Sequence, residues 1–323
     1  MSGGDWQPTA RPGVLRARGA MLAAIRAHFA ARGVLEVETP ILSAAAVSDV
    51  QLASIPARVA GHGTRFLHTS PEYAMKRLLA AGLGDCYQVC KVFRDGESGR
   101  WHNPEFTMIE WYRVGLDAPA LMDDVESLVR AALASHRRLG PFERLSYAAA
   151  LRRHAGVDPA SATGAQLAAA LRRHGVAPPE GAAAARDELL DLVMSTVVGP
   201  ALGQDGGCFV HSYPASQAAL ARLDPADPSV AARFELYLDG IELANGFHEL
   251  ADAREQRARF AADLAERARR GLPAAPLDER LLAALAAGLP DCAGVALGFD
   301  RLVMAGLGLG SLAEAMAFTI DNA

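Results

Sequence analysis

The strongest constraint on the fold is the dipeptide Asp239-Gly240, which lies between two runs rich in apolar residues, RFELYL and IELANGF. Such a pair favours a two-residue turn between antiparallel strands. The turn would place Leu238 opposite Ile241, Tyr237 opposite Glu242, and Glu235 opposite Ala244. Because side chains alternate along a strand, Glu235, Tyr237 and Glu242 are predicted to share one face of the ribbon.

A second pair of strands is predicted by residues 86–94 and 105–112, where apolar and polar side chains alternate on either side of a polar loop. Helices are predicted over residues 14–32 and 70–82, and two more follow in the C-terminal third, over 252–270 and 276–288. Strands in runs with helices around them favour an α+β domain, in which a mostly antiparallel sheet is flanked by helices.

Two segments fall outside this pattern. Residues 1–13 are rich in glycine and proline and are expected to form a flexible tail, which leaves 14–323 as one domain. Residues 118–190 are rich in alanine and are interrupted by GVDPAS and APPEG. They are predicted to form a helical accessory region of that domain.

The composition excludes several classes of protein. A net charge of −5 gives no global positive field of the kind that drives nucleic-acid binding. The four cysteines form no CxxC pair, so reduced thiols in a cytoplasmic protein are expected. The first residues lack an apolar core and no run of about 20 apolar residues occurs, so neither a secretory signal nor a membrane span is expected.

Two arginines and two glutamates are candidates for a phosphate and metal site. Arg94 ends a predicted strand, and Arg301 follows Gly298 near the start of a predicted helix. Their planar guanidinium groups suit bidentate binding of phosphate oxygens, although surface ion pairs would explain either arginine alone. Glu235 and Glu242 would hold Mg²⁺ beside such a phosphate, and a solvated polar face is the alternative.

Aromatic and acidic residues offer further contacts. Phe106 suits either a core position or stacking on a flat base, and His102 and Asn103 are placed to contact an adenine edge or a phosphate. Glu249 and Tyr112 are candidates to bind a cationic amine, because a buried ammonium needs a carboxylate. Each of these residues taken alone also has a structural explanation.

Three segments, in this order, resemble the signature motifs of class II aminoacyl-tRNA synthetases. They are RGVLEVETPIL around Pro40, FRDGESGRWHNPEFTMIEWY from Phe93, and GVALGFDRLVM from Gly294. TSPEYAMKRLL, HNPEFTM and IELANGFHELADAREQ are similar to lysyl-tRNA synthetases in particular. The resemblance spans roughly residues 14–115 and 195–320 and implies a class II catalytic domain.

The resemblance implies a role for each matching residue. Arg94 would bind the α-phosphate of ATP and Arg301 the γ-phosphate, as the two catalytic residues, while Glu235 and Glu242 would hold Mg²⁺. The other residues expected at the nucleotide are Asp95, Gly96, Glu97, His102, Asn103, Phe106, Leu243 and Gly298, with Glu242 again. The residues expected at the amino acid are Ser70, Pro71, Glu72, Tyr112, Glu249 and Ala296.

Within these sets, Asn103 and Phe106 resemble residues that hold adenine. Glu72 falls where the family binds an amino group near the substrate carboxylate, and Glu249 with Tyr112 where it binds the ε-ammonium. The implied chemistry is in-line attack of a diamino acid's carboxylate on the α-phosphate of ATP. The products would be an aminoacyl adenylate and pyrophosphate, formed mainly through positioning and charge stabilisation.

Lysyl-tRNA synthetases carry an anticodon-binding domain before the first motif, and no such domain is expected here because the motif begins at residue 32. The chain is similar over essentially its full length to the truncated ligases that activate (R)-β-lysine and transfer it to elongation factor P. This implies elongation factor P instead of tRNA as acceptor, and a homodimer formed through the first motif. A minimal lysyl-tRNA synthetase with another acceptor and a non-catalytic paralogue are the alternatives.

Two positions depart from lysyl-tRNA synthetases. Ala296 stands where they usually have glycine, and its methyl group is expected to favour a shifted amino group by about 1–3 kcal/mol. Gly96 stands where they have an acidic residue, and either Asp95 or Glu97 is expected to take over that role.

Overall fold

The structure is a computed structural model that describes residues 6–179 and 186–323; residues 1–5 and 180–185 lie outside the described part. Its strands are β1 (Leu35–Glu36), β2 (Leu42–Ser43), β3 (Pro56–Val59), β4 (Gly63–Leu67), β5 (Cys86–Phe93), β6 (Glu105–Val114), β7 (Glu143–Ser146), β8 (Cys208–Pro214), β9 (Val230–Leu238), β10 (Ile241–His248) and β11 (Cys292–Gly298). Its α-helices are α1 (Pro12–Ala30), α2 (Glu72–Ala80), α3 (Ala118–Leu133), α4 (Tyr147–Ala155), α5 (Gly164–Arg173), α6 (Arg186–Val193), α7 (Ala253–Arg269), α8 (Glu279–Gly288) and α9 (Phe299–Leu307). No helix in the described residues is long and apolar enough to cross a membrane.

Within the described residues, the main sheet has the strand order β1-β5-β6-β11-β10-β9-β8-β7, and β2, β4 and β3 form a small second sheet. Pairing is antiparallel from β5 through to β8. It is parallel only at the two edges, where β1 meets β5 and β7 meets β8. The prediction of an α+β domain on a mostly antiparallel sheet is therefore confirmed.

Alternation of side chains gives the central strands two different faces. On β6, Ile109 and Trp111 are fully buried in the main apolar core, which α1, α3 and α9 cover. The neighbouring residues Met108 and Glu110 point to the opposite face and line cavities there. Helices α2 and α8 pack over one end of that second face, and the part that they leave uncovered forms a cleft.

The hairpin at Asp239-Gly240 forms as predicted, but its register changes after two pairs. Leu238 lies opposite Ile241, and Glu235 then lies opposite Asn245 instead of Ala244, because a β-bulge interrupts β10 between Glu242 and Ala244. The extra residue, Leu243, is buried in the same core as Ala244. A regular strand would place these two side chains on opposite faces, so the bulge lets both pack while Glu242 stays on the face of Glu235.

Residues 118–190 match the predicted interrupted helical region only in part. Helix α3 belongs to the main core, and residues 143–146 form the edge strand β7 of the main sheet. Among the described residues of this segment, α4, α5 and α6 form a separate apolar cluster together with Leu145 of β7, and this cluster packs against β8 and Tyr237 of β9. The sequence pattern missed β7 because a strand of this length carries too few residues to show alternation.

The predicted tail over residues 1–13 ends earlier than expected, since α1 begins at Pro12. The amides of Thr9 and Ala10 donate to the backbone oxygens of Ala317 and Met316, so this part of the chain is attached to the C-terminal segment. Residues 1–5 lie outside the described part, and flexibility there stays a prediction.

Candidate active site

The uncovered face of the sheet lines a cleft with a cavity of about 1430 Å³. Strands β6, β9, β10 and β11 contribute its floor, and the loop after β5 and the start of α2 contribute its sides. The residues predicted from the sequence that line this cavity are Ser70, Pro71, Glu72, Arg94, Glu97, His102, Asn103, Phe106, Glu235, Glu242, Leu243, Ala296, Gly298 and Arg301. A small adjoining cavity is lined by Tyr112 and Glu249, again with Glu72 and Ala296.

Arg94 directly follows β5, and its guanidinium carbon lies 5.1 Å from the centre of the Phe106 ring. Its Nη1 is 3.6 Å from Oε1 of Glu97, and its buried Nε has no hydrogen-bond partner among the described residues. A buried donor without a partner is costly unless a ligand supplies an acceptor. The pairing of a flat ring with such a guanidinium suits a nucleotide, with its base near Phe106 and a phosphate at Arg94.

Arg301 lies in the first turn of α9, where Gly298 precedes the helix without a side-chain cap. Its Nη1 donates to the backbone oxygen of Glu242 at 3.0 Å, and its Nη2 lies 2.8 Å from Nε2 of His102. Burial and the positive charge of Arg301 lower the pKa of His102, so a neutral imidazole accepts this hydrogen bond. The uncapped helix start and the guanidinium together form a site suited to an anion.

Glu235 on β9 is held by three donors. It accepts hydrogen bonds from Arg233 at 2.6 Å, from the Tyr213 hydroxyl at 2.5 Å and from the Tyr237 hydroxyl at 2.6 Å. Both tyrosine rings belong to the apolar cluster of α4, α5 and α6. This accessory cluster therefore fixes the position of a carboxylate in the cleft.

Glu242 on β10 faces the same side and keeps 42% of its side chain exposed. Burial in the cleft and the negative charge of Glu235 nevertheless raise the pKa of Glu242. A carboxylate offers about four lone-pair positions, so the three donors to Glu235 leave one for a cation. One carboxylate oxygen from Glu235 and one from Glu242, beside Arg94 and Arg301, would suit Mg²⁺. This ion takes few protein ligands and completes its shell with phosphates and water.

Glu110 of β6 lies at the other end of the cleft, where it is only 2% exposed. Its two oxygens accept from the Ser70 hydroxyl and the Tyr112 hydroxyl, each at 2.6 Å. The Ser70 oxygen in turn accepts from the amide of Glu72, which fixes the start of α2. Burial and the charge of Glu72 raise the pKa of Glu110 to about 8, so this end of the cleft favours a bound cation.

Lys76 lies between Glu72 and Glu249, with its Nζ 2.6 Å from one oxygen of each. The contact with Glu72 is a hydrogen bond, whereas the contact with Glu249 is an ion pair without hydrogen-bond geometry. Burial alone would lower the pKa of Lys76, but the charges of Glu249 and Glu72 raise it well above its ordinary value. The amino group is therefore an ammonium, fully enclosed by protein.

Strand β11 contributes small residues to this end of the cleft. Ala296 pairs with Glu110 on β6 and with Asn245 on β10, and it lines both cavities. At Gly294, an added methyl group would lie 2.5 Å from Oε1 of Glu249 and closer still to the Tyr112 ring. Only small side chains on β11 leave room between these carboxylates.

Three predicted residues have surroundings that differ from the expectation. Asp95 and Gly96 are exposed and do not line the cavity, whereas Glu97 does, so Glu97 is the one of the two candidate acidic residues that lies at the cleft. Asn103 lines the cavity, but its amide already donates to the oxygen of Glu105 at 2.6 Å and accepts from the amide of Ile320 at 3.0 Å. It supports the cleft wall through these backbone contacts.

No role was predicted from the sequence for Glu110 or Lys76. The structure places both beside Glu72 and Glu249, at what we call the acidic end of the cleft. A signal existed for both. Glu110 lies two residues before Tyr112 and therefore on the same strand face, and Lys76 lies four residues after Glu72 on the same helical face.

Comparison with known proteins agrees with this geometry. The profile of the tRNA synthetases class II (D, K and N) matches residues 7–322. Proteins named elongation factor P--(R)-beta-lysine ligase, from Salmonella dublin, Salmonella paratyphi B and Salmonella heidelberg, are each 51% identical over 323 residues, with 98% of both chains covered. The chain therefore belongs to the class II tRNA synthetases and, among them, to the family of the elongation factor P–(R)-β-lysine ligases.

Proposed function

We propose that this protein activates (R)-β-lysine with ATP and transfers it to the ε-amino group of a lysine on elongation factor P. The observation that carries the proposal is the 51% identity to ligases of that name over 98% of both chains. The cleft supports it, because one end offers arginines suited to phosphates and the other offers three carboxylates suited to a diamino acid.

In the activation step, the substrate carboxylate attacks the α-phosphorus of ATP, and the bond from that phosphorus to the bridging oxygen of pyrophosphate breaks. Arg94 is proposed to bind the α-phosphate, where negative charge grows in the transition state. Arg301 is proposed to bind the γ-phosphate after exchanging its hydrogen bond to His102 for one to ATP. Phe106 would stack on the adenine.

The amino acid is proposed to enter with its amino groups toward the acidic end. Glu72, at the start of α2, would bind the amino group nearer the carboxylate, and Glu249 with Tyr112 would bind the distal one. Glu110, held by Ser70 and Tyr112, is a third carboxyl group beside them, and the bound ammonium groups would favour its ionised form. Holding both ammonium groups leaves the carboxylate facing the phosphates, which is the positioning that this reaction needs.

Glu235 and Glu242 are proposed to hold Mg²⁺. When bound, the ion would neutralise negative charge on the phosphates. Arg233, Tyr213 and Tyr237 hold the Glu235 carboxylate in a fixed orientation by donating hydrogen bonds to it.

In the transfer step, the neutral ε-amine of an acceptor lysine attacks the acyl carbon of the adenylate. The bond from that carbon to the phosphate oxygen breaks, AMP leaves and the amine loses a proton as the amide forms.

We infer that the enzyme works in the cytoplasm, where elongation factor P would be encountered, and that it forms a homodimer. Leu35, Ile41 and Leu42 of the first motif are large apolar side chains that are exposed, which supports a partner subunit there.

The activation step is tested by exchange of labelled pyrophosphate into ATP. The proposal predicts exchange that depends on (R)-β-lysine and Mg²⁺ and that falls by at least about 100-fold in Arg94→Ala and Arg301→Ala, because each removes a charge at the phosphates. Exchange that is independent of the amino acid, or that occurs equally with unrelated amino acids, would reject the proposal.

A further inference from the structure

Lys76 is a buried ammonium that the proposed mechanism does not use. The chain has two lysines, and they differ sharply in environment. Lys76 on α2 is 0% exposed, whereas the side chain of Lys91 on β5 is 43% exposed and lies 3.4 Å from Glu105. A lysine that is fully enclosed and paired with two carboxylates needs an explanation, because apolar side chains fill such space without the cost of burying charges.

The ammonium lies behind the acidic end of the cleft and does not enter it. Lys76 lines neither the main cavity nor the small one, although Glu72 and Glu249 line one or both. Each of these glutamates gives one oxygen to Lys76. The other oxygen of Glu249, Oε1, lies beside Gly294, which does line the small cavity. Lys76 thus orients the carboxylate by holding its rear oxygen.

The charges at this end of the cleft match a ligand with two ammonium groups. Glu72, Glu110 and Glu249 are three carboxylates that share the small cavity, and Lys76 is the positive charge bound directly to two of them. The pKa of Glu110 is raised to about 8 without a ligand, and bound ammonium groups lower it, so with a diamino acid bound three ionised carboxylates face three ammonium groups. A monoamino acid would leave one buried carboxylate without a partner, which is strongly unfavourable.

We propose that Lys76 is a positioning residue of the amino-acid site, which holds Glu72 and Glu249 in place and sets the number of ligand ammonium groups at two. The identity of the ligand rests on the proposed function. Without Lys76, repulsion among the carboxylates would favour protonation of one of them, and a protonated carboxyl group binds an ammonium poorly. The site would then lose its preference for a second ammonium group.

The test compares Lys76→Met, which keeps much of the side-chain volume but removes the charge, with the matched control Lys91→Met. Pyrophosphate exchange is measured with (R)-β-lysine and with the same β-amino acid lacking the terminal amine. For Lys76→Met we expect the KM for (R)-β-lysine to rise at least about tenfold and the preference for the diamino acid to fall at least about tenfold. The KM for ATP should stay within about twofold, and Lys91→Met should match the wild type in all values.

A role in stability alone would lower the melting temperature and leave the preference between the two amino acids unchanged, and that result would overturn the proposal. Lys76→Gln, which still donates hydrogen bonds to a carboxylate, provides a second neutral variant that is less prone to unfold. It is expected to lose the preference in the same way. Absence of exchange by the wild-type protein with either amino acid would reject the proposed function, whereas wild-type exchange with an unchanged Lys76→Met would reject only the role of Lys76.

Discussion

Replacing Gly294 with alanine tests whether the acidic end of the cleft binds the amino acid. Gly294 lies directly opposite Tyr112 across the sheet, and its new methyl carbon would lie 2.5 Å from Oε1 of Glu249. Ordinary contact distances are about 3.5–4.0 Å, so the carboxylate and the ring must each retreat by about 1 Å. The overpacking should cost about 1–3 kcal/mol of stability.

The same displacement removes the aligned contacts of Glu249 and Tyr112 with a substrate ammonium. Hydrogen bonds to charged groups contribute about 1.5–3 kcal/mol, so the KM for (R)-β-lysine should rise by about 10- to 150-fold. The KM for ATP should change little, because Arg94 and Phe106 lie at the other end of the cleft.

The matched control is Gly207→Ala, whose methyl group would press on the ring of Phe142 at the far edge of the sheet. It should lose a similar amount of stability and keep both KM values. Thermal unfolding and pyrophosphate exchange measure the two effects separately. A Gly294→Ala protein that is destabilised but keeps its KM for the amino acid would refute the assignment of this end of the cleft.

Three further predictions concern single side chains. Ala296→Gly should raise activity with α-lysine relative to (R)-β-lysine by about tenfold, since one methyl group discriminates by about 1–3 kcal/mol; unchanged relative kcat/KM values would remove the argument. The pKa of Glu110 is raised to about 8 in the folded protein, so the stability that it contributes is present below about pH 4.5 and is lost as the pH rises toward 8. Glu110→Gln should therefore raise the melting temperature of the ligand-free protein more at pH 8 than at pH 6, and an equal shift at both would contradict the raised pKa. Tyr237→Phe removes one donor to Glu235 and should raise the Mg²⁺ concentration for half-maximal exchange by about tenfold or more without changing the KM for (R)-β-lysine, whereas an unchanged Mg²⁺ requirement would argue against Glu235 as a ligand.

The sequence predicted the sheet well where its signals are local. Asp239-Gly240 is a complete turn signal in two residues, and the pairing nearest the turn is correct. The register farther along depended on the packing of Leu243 and Ala244 into one core, and no pattern within the strand encodes that contact. Local chemistry therefore fixed the turn, and tertiary packing fixed which residue faces Glu235.

The sequence identified candidate site residues where a residue matches a family motif. It did not identify those whose role depends on contacts with residues distant in the chain. Arg94, Glu97 and Arg301 line the same cleft, and the roles that the resemblance implies for them stay predictions. The role of Lys76, the partner of Glu72, was harder to recognise from the sequence. A lysine four residues after a glutamate is an ordinary helical ion pair, and only the fold shows that Glu249 contacts the same ammonium. That third group comes from a strand end far along the chain, and only the fold brings it to α2.

The central claim is that (R)-β-lysine is activated here and delivered to a protein acceptor. The most direct measurement incubates the protein with ATP, Mg²⁺ and labelled (R)-β-lysine, and offers purified elongation factor P and total tRNA in parallel. We predict label on elongation factor P alone, attached to one lysine side chain. Label on tRNA, or pyrophosphate exchange with neither acceptor labelled, would contradict the claim.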